Sequence, residues 1–140
     1  MKVKRKFPNA HLPTRGSAEA AGWDLYAVEV ATIAPRETVL VDTGIIVEIP
    51  QGYFGGLYAR SGLALRQGLR PANCVGIIDS DYRDSIKVAI HNDSNVERVI
   101  AIGDRIAQLV VTPYYDDFLE EVEELTSTDR GQGGFGSTGK

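Results

Sequence analysis

The sequence predicts an all-β domain, closest to a jelly roll, and three observations carry that prediction. Short runs rich in Val, Ile and Tyr recur along the chain, separated by Gly, Pro, Asn or Asp at roughly 8–12-residue spacing. In IKVAIHN (86–92) apolar Ile86, Val88 and Ile90 alternate with Lys87, Ala89 and His91, the period-2 pattern of a strand with one face in a core. No long segment shows a helical period. The combination fits a mostly antiparallel sheet protein.

Taken in order, the expected strands are 39–41, 44–49, 53–58, 86–91, 96–100 and 105–112. One short helix is expected over 61–67, with Ser61 as its N-cap and Gly68 as its stop. Residues 116–125 (DDFLEEVEEL) are acidic and ambiguous: Leu119, Val122 and Leu125 suit a helix face, a polar-flanked strand or a solvated segment. The last stretch, TSTDRGQGGFGSTGK, is rich in glycine and holds one large apolar residue, Phe135. Such a tail does not fold alone, because glycine loses the most entropy on ordering. It is expected to be a disordered end or a flap that orders over a ligand.

Composition narrows the function. The chain has 140 residues, 43% of them hydrophobic and 24% charged, enough for one domain with a real core. Its formal net charge is −4, and Lys2, Lys4, Arg5 and Lys6 form its one basic cluster. A polymeric nucleic acid is therefore not the expected ligand, since binding one takes a basic excess. A small anion in a local pocket stays open. Cys74 is the only cysteine, which rules out an internal disulfide, and His11 and His91 lie far apart without metal-ligand spacing. These two histidines and Cys74 read as structural. No signal peptide or membrane span is evident, so a soluble, cytoplasmic protein is expected, with no membrane partner. Any metal should be a hard cation held by carboxylates and phosphates.

Three places could carry chemistry. Arg60-Ser61-Gly62 opens the short helix with a forked cation, a hydroxyl and a close backbone approach, which suits an anion. Gly76-Ile-Ile-Asp-Ser-Asp-Tyr82 ends an apolar pair, Ile77 and Ile78, in a turn with two carboxylates; Asp79 there suits a general base or plain turn chemistry. Asp24, in AGWDL, suits a metal-water ligand or a strand-edge acid. The C-terminal GFGSTGK matches the start of a Walker A pattern, but the Ser/Thr and the helix that make a phosphate loop work do not follow it in this sequence. Ser61 is no nucleophile-elbow serine either, because Ala59 and Leu63 stand where glycines are needed.

Together and in order, these segments resemble the homotrimeric dUTPase family. The five stretches that carry the resemblance are AGWDLYA (21–27), PQGYFGGLYARSGLA (50–64), NCVGIIDSDYR (73–83), GDRIAQL (103–109) and RGQGGFGSTG (130–139). They span nearly the whole chain. The resemblance implies a jelly-roll domain over 1–125 whose end crosses to a neighbouring subunit as an exchanged strand, and a mobile flap over 126–140. It implies a homotrimer with sites at subunit interfaces, and Mg²⁺-dependent hydrolysis of dUTP to dUMP and pyrophosphate, which limits uracil in DNA and supplies dUMP.

Roles follow by motif position. Asp79 would be the base that activates water against the α-phosphorus, and Tyr82 would lie under the deoxyribose. Asn73, the backbone of Gly76, Ile77 and Ile78, and Lys87 would form the uracil slot. Arg60, Ser61, Gly62 and Gln108 would hold phosphates. From the tail, Arg130 would bind the γ-phosphate, Phe135 would stack on uracil, and Gly136, Ser137 and Thr138 would complete the cage. Asp24 would help hold Mg²⁺ through water. The chain departs from the family at Asp84, where glycine is usual; if that position needs a positive φ, local strain beside Tyr82 is expected. Two rival readings are a dCTP deaminase of the same fold, for which no Glu is evident in the base slot, and a module that only binds nucleotide.

Overall fold

Four strands of the computed structural model, Lys87–Asn92 the longest of them, bury alternate side chains, and others bury consecutive ones. The structure describes residues 1–134. Eleven strands and one helix run in the order β1 (Lys2–Arg5), β2 (Trp23–Tyr26), β3 (Ala31–Ile33), β4 (Thr38–Asp42), β5 (Ile45–Glu48), β6 (Tyr53–Tyr58), α1 (Ser61–Gln67), β7 (Leu69–Pro71), β8 (Gly76–Ile78), β9 (Lys87–Asn92), β10 (Arg98–Ile100) and β11 (Arg105–Pro113). All pairings are antiparallel. The largest sheet has the order β2-β11-β6-β8 and a second has β4-β9-β7; β1-β5 and β10-β3 form two-stranded sheets.

The alternation read in 86–92 is realised. Ile86, Val88 and Ile90 are buried while Lys87 is exposed. They join Leu25, Ile33, Val41, Ile45 and Leu109 in one core to which all four sheets contribute. At ~1.5–3 kcal/mol for each fully buried aliphatic side chain, this core is the main force that holds the sheets together.

Glycine matters most where β6 crosses the centre of its sheet. A Cβ on Gly55 would come within 2.8 Å of both Ile49 Cδ1 and Leu109 Cδ1, so only glycine lets these side chains close over the strand. The helix forms where expected, but its cap differs. Arg60, extended at φ −88° and ψ 126°, is the N-cap, and no side chain caps the first turn. Ser61 is the first helical residue, one position too late to bond the first-turn N–H groups as a cap does. Gly68 ends the helix as expected, in a left-handed conformation at φ 67°.

Beyond Pro113 the described chain adds no strand to any sheet. Its large apolar residues lie open: Phe118 and Leu119 are essentially fully exposed, as are most of Tyr115 and Leu125. Of the readings open for 116–125, the single chain adopts the solvated one.

Candidate active site

A β-bulge assembles the polar centre of the molecule. β11 pairs with β2 through Leu109↔Trp23, Gln108↔Asp24 and Ala107↔Leu25, and then the register shifts so that Arg105, not Ile106, stands opposite Tyr26. The extra residue leaves Ile106 and Ala107 both buried and turns Arg105 to the face that carries Asp24 and Gln108. Without the shift, Arg105 would share the face of Ala107.

Asp24 is 4% exposed, a burial that a carboxylate tolerates only when paired. Arg60 Nε donates to its Oδ1 at 2.9 Å, and Arg105 Nη1 donates to its Oδ2 at 3.2 Å. Arg60 Nη1 also donates to the Arg105 carbonyl at 3.3 Å. A guanidinium has five N–H donors. Both arginines therefore keep donors free while their position is fixed, and a polar cleft of about 230 Å³ lies between them, Gln67 and Asp104. Sequence reasoning missed Arg105. Its signal was its place in GDRIAQL beside Gln108, but the bulge that aims it leaves no mark in the residue types.

Beside this cleft, α1 offers Ser61 and Gly62, both exposed. A Cβ on Gly62 would meet nothing within 4 Å, so the chain's own packing does not require glycine there. Glycine inside a helix costs ~1 kcal/mol against Ala. Something outside the described chain, approaching the backbone closely, would account for it. Gln108 sits half-buried, with Gly22 so near that a Cβ there would lie 3.2 Å from Gln108 Cβ.

The second group lies at the open edge of the same sheet. β8 has β6 on one side only, which leaves the backbone groups along its outer edge unpaired by strands. Asn73 is folded against its start, since a Cβ on Gly76 would lie 3.0 Å from Asn73 Nδ2. Asp79 follows the strand directly and is exposed; its carbonyl accepts from the Tyr82 N–H at 3.2 Å. Tyr82 OH donates to the Ser85 carbonyl at 3.2 Å, and Ser85 Oγ donates to Asp42 Oδ2 at 2.9 Å. The loop after β8 is thus tied to β4.

Asp84 does not strain this loop. Among the described residues the only positive-φ positions besides glycines are Arg36 and Cys74, so the expected distortion is absent. Asp84 instead accepts from Lys6 Nζ at 2.5 Å and from the Ser85 N–H at 2.7 Å, with Lys87 Nζ 3.8 Å away. The Lys6 ammonium, helped by the Ser85 N–H, holds the Asp84 carboxyl below the usual carboxylate range. Such a group favours the fold above its unfolded value of about 3.9 and ceases to do so as pH falls through its lower folded value. Asp84→Asn should therefore lower the thermal midpoint at pH 7, and the gap should narrow as pH falls below the unfolded value of about 3.9, closing only once the folded parent carboxyl is protonated too. A gap that does not narrow on acidification would assign the effect to shape and not to charge.

The two groups do not meet within one chain. Ile78 stands opposite Gly55 and Gly76 opposite Leu57, so Asp79 leaves the sheet near the start of β6 while Arg60 follows its end. At ~3.3 Å per residue, their backbones are roughly 20 Å apart. Arg130 is exposed and its bonds are local, its Nε donating to the Gly133 carbonyl at 2.9 Å. Phe135, Gly136, Ser137 and Thr138 lie outside the described residues.

A family model described as dUTPase matches residues 8–139. The chain belongs to the dUTPase family. Its fold is accordingly the jelly roll, the arrangement of antiparallel sheets described above. The deoxyuridine 5'-triphosphate nucleotidohydrolase of Candida albicans is 46% identical over 142 residues, covering 100% of this chain and 88% of that protein. That of Syntrophotalea carbinolica is 47% identical, covering 99% and 96%. Among solved structures, a mutant Staphylococcus bacteriophage 80alpha dUTPase with dUpNHpp superposes with a TM-score of 0.93 at 30% identity, over 99% of this chain and 98% of that one. A mutant dUTPase from phage phi11 of S. aureus, described with a coordinated structural Mg(II) ion, gives 0.84 at 28% identity, over 90% and 98%.

The donor set fits a magnesium ion only in part through protein. No group of three or more His, Cys, Asp or Glu is poised to ligate a metal among the described residues. Asp24 has about four lone-pair sites on its carboxylate, of which the arginines use two. It can still accept from a metal-bound water. Mg²⁺ keeps several waters and favours phosphate oxygens, so a dUTPase of this construction suits an ion held mainly by its substrate.

Proposed function

We propose that this chain hydrolyses dUTP to dUMP and pyrophosphate by attack of water on the α-phosphorus. The observation that carries the reading is the pair of arginines fixed on buried Asp24 beside an uncapped helix start, in a chain of this family. Arg60 and Arg105 would take the phosphate chain with their free N–H groups, joined by Gln108, Ser61 and the bare backbone at Gly62. Arginines held in place beforehand stabilise charge that moves toward the leaving pyrophosphate without reorganising. Asp79 would orient a water and accept its proton as the oxygen–phosphorus bond forms. When bound, Mg²⁺ would draw charge from the phosphates and fix their conformation; Asp24 would reach it through water.

The open edge of β8 suits a flat pyrimidine. Its backbone donors and acceptors, with Asn73, would pair with uracil and leave polar groups unpaired against cytosine. Tyr82 would face the deoxyribose and crowd a 2′-hydroxyl, and Lys87 would close the slot from β9. From the tail, Arg130 would meet the γ-phosphate, with Phe135 over the base and Gly136, Ser137 and Thr138 around the phosphate.

The working unit would be a homotrimer with shared sites, for two reasons. One copy leaves Asp79 and Arg60 at opposite ends of β6. The exposed Phe118, Leu119 and Leu125 also form an apolar, acidic arm without a partner in its own chain, the kind of surface that marks an interface. On this reading 1–125 is the folded domain with its exchanged arm, and 126–140 the flap.

Pyrophosphate release from dUTP, dCTP, dTTP and UTP, each with Mg²⁺ and with EDTA, tests the activity. Release confined to dUTP and dependent on the metal is expected. No release from dUTP would overturn the reading, and ammonia from dCTP would replace it with deamination.

A further inference from the structure

The turn that leads into β8 has an uncommon shape. The Val75 N–H donates to the Asn73 carbonyl at 2.6 Å, which closes a three-residue ring around Cys74 at φ 61°. This is a γ-turn with a positive central φ, the rarer and more strained of its two forms. Cysteine carries a Cβ, which disfavours the left-handed backbone that glycine adopts freely, and its one local side-chain bond is a long contact from Sγ to the Ala72 carbonyl at 3.9 Å. Strain of this kind persists only where the surroundings hold it.

Arg70 supplies that hold. From β7 its Nη1 donates to the Pro71 carbonyl at 3.3 Å and stands 3.7 Å from Cys74 Sγ. Its Nε and Nη2 donate to Asp93 Oδ2 and Oδ1 at 2.6 and 3.2 Å, a two-toothed pair of the kind that fixes an arginine's plane. Asp93 is anchored in turn: its N–H donates to the Gly68 carbonyl at 2.8 Å, and His91 Nε2 lies 3.4 Å from its Oδ1. One side of the guanidinium is therefore fastened to the end of β9, and the other rests on the turn.

We propose that Arg70 is a positioning residue, which fixes the γ-turn at Cys74 and so places Asn73 and the first residues of β8 for the pyrimidine. The inference deepens the function proposed above and rests on it. Arg70 acts through the turn alone and touches no reacting atom. Because the Asn73 amide packs on Gly76, a slackened turn displaces that amide first. Binding of the base should suffer, and the chemical step should not.

The test is steady-state hydrolysis of dUTP by the full chain as parent, R70M, D93N, C74G and the double variant R70M/C74G. R70M should raise KM roughly five- to tenfold with kcat within about twofold, the low end of the scale expected when a strained turn is released. C74G should lie close to the parent, since glycine adopts a positive φ freely. The double variant should recover most of the lost KM, because glycine removes the need for a brace. An unchanged KM in R70M, a fall in kcat as large as the rise in KM, or a double variant no better than R70M would each overturn the proposal. Should R70M not fold, D93N takes its place, as a near-isosteric change that loosens the same fork, with D93N/C74G as its rescue. A parent that does not hydrolyse dUTP sinks the underlying reading; an active parent with an indifferent R70M sinks this inference alone.

Discussion

Asp79→Asn should leave the nucleotide bound and its hydrolysis almost stopped. The substitution keeps the size of the side chain and the loop around it, because the only described bond of Asp79 in that loop is the backbone one to Tyr82. What it removes is an oxygen able to take a proton from water. A positioned general base contributes ~10²–10⁴-fold, so kcat should fall by that factor while Kd for a non-hydrolysable dUTP analogue stays within about threefold. Single-turnover hydrolysis and calorimetric titration of one preparation separate the two quantities. Near-full turnover in the variant would remove Asp79 from the mechanism, and loss of binding instead would make it a binding residue.

A second large effect is expected from mixing two inactive chains. Asp79→Asn removes the base from one end of β6, and Arg60→Met removes a phosphate donor from the other. If each site takes these residues from different copies, a subunit exchange at equal amounts gives a functional pair with probability one half times one half. Activity should then rise from near zero to about one quarter of the parent, as closed symmetric assembly with random mixing implies. If a single chain supplied both residues, no mixture would recover activity. Denaturation and joint refolding of the two variants, assayed beside each refolded alone, distinguishes these cases.

The strength of both expectations reflects what the residues reveal in advance. A strand with one buried face announced itself: Val88 and Ile90 in β9 alternate with less buried neighbours over enough residues to set a period. Strands β1, β2, β3, β7 and β8 did not; each has only three or four residues, too few to set a period. In β1 (KVKR) all four are exposed, so its pairing with β5 depends on backbone hydrogen bonds and not on burial. Helix α1 was legible from Gly68, whose left-handed conformation is a local requirement, and its span agrees, whereas its N-cap was placed on Ser61 because Arg60 caps by backbone shape alone.

The site was legible to the same extent. Motif order pointed to Asp24, Arg60 and Gln108, and the sheet does bring these together through adjacent strands β2, β6 and β11. Arg105 was missed because its direction depends on a register shift, a property of two strands and not of one. The concern over Asp84 came from a backbone angle that sequence can only suggest; the chain uses the position for ion pairs with Lys6 and Lys87 instead.

That register shift also sets a boundary on how the molecule can change. With every residue kept, an unbroken ladder of β11 against β2 would set Ile106 opposite Tyr26 and turn Arg105 to the face of Ala107, leaving Asp24 with a single cation. Removing one residue between Arg105 and Gln108 would instead give the regular ladder while Arg105, now two places from Gln108, stayed on the face of Asp24. Length and irregularity must therefore change together at this point of the chain. A redesign that smooths the strand without shortening it would lose the second arginine.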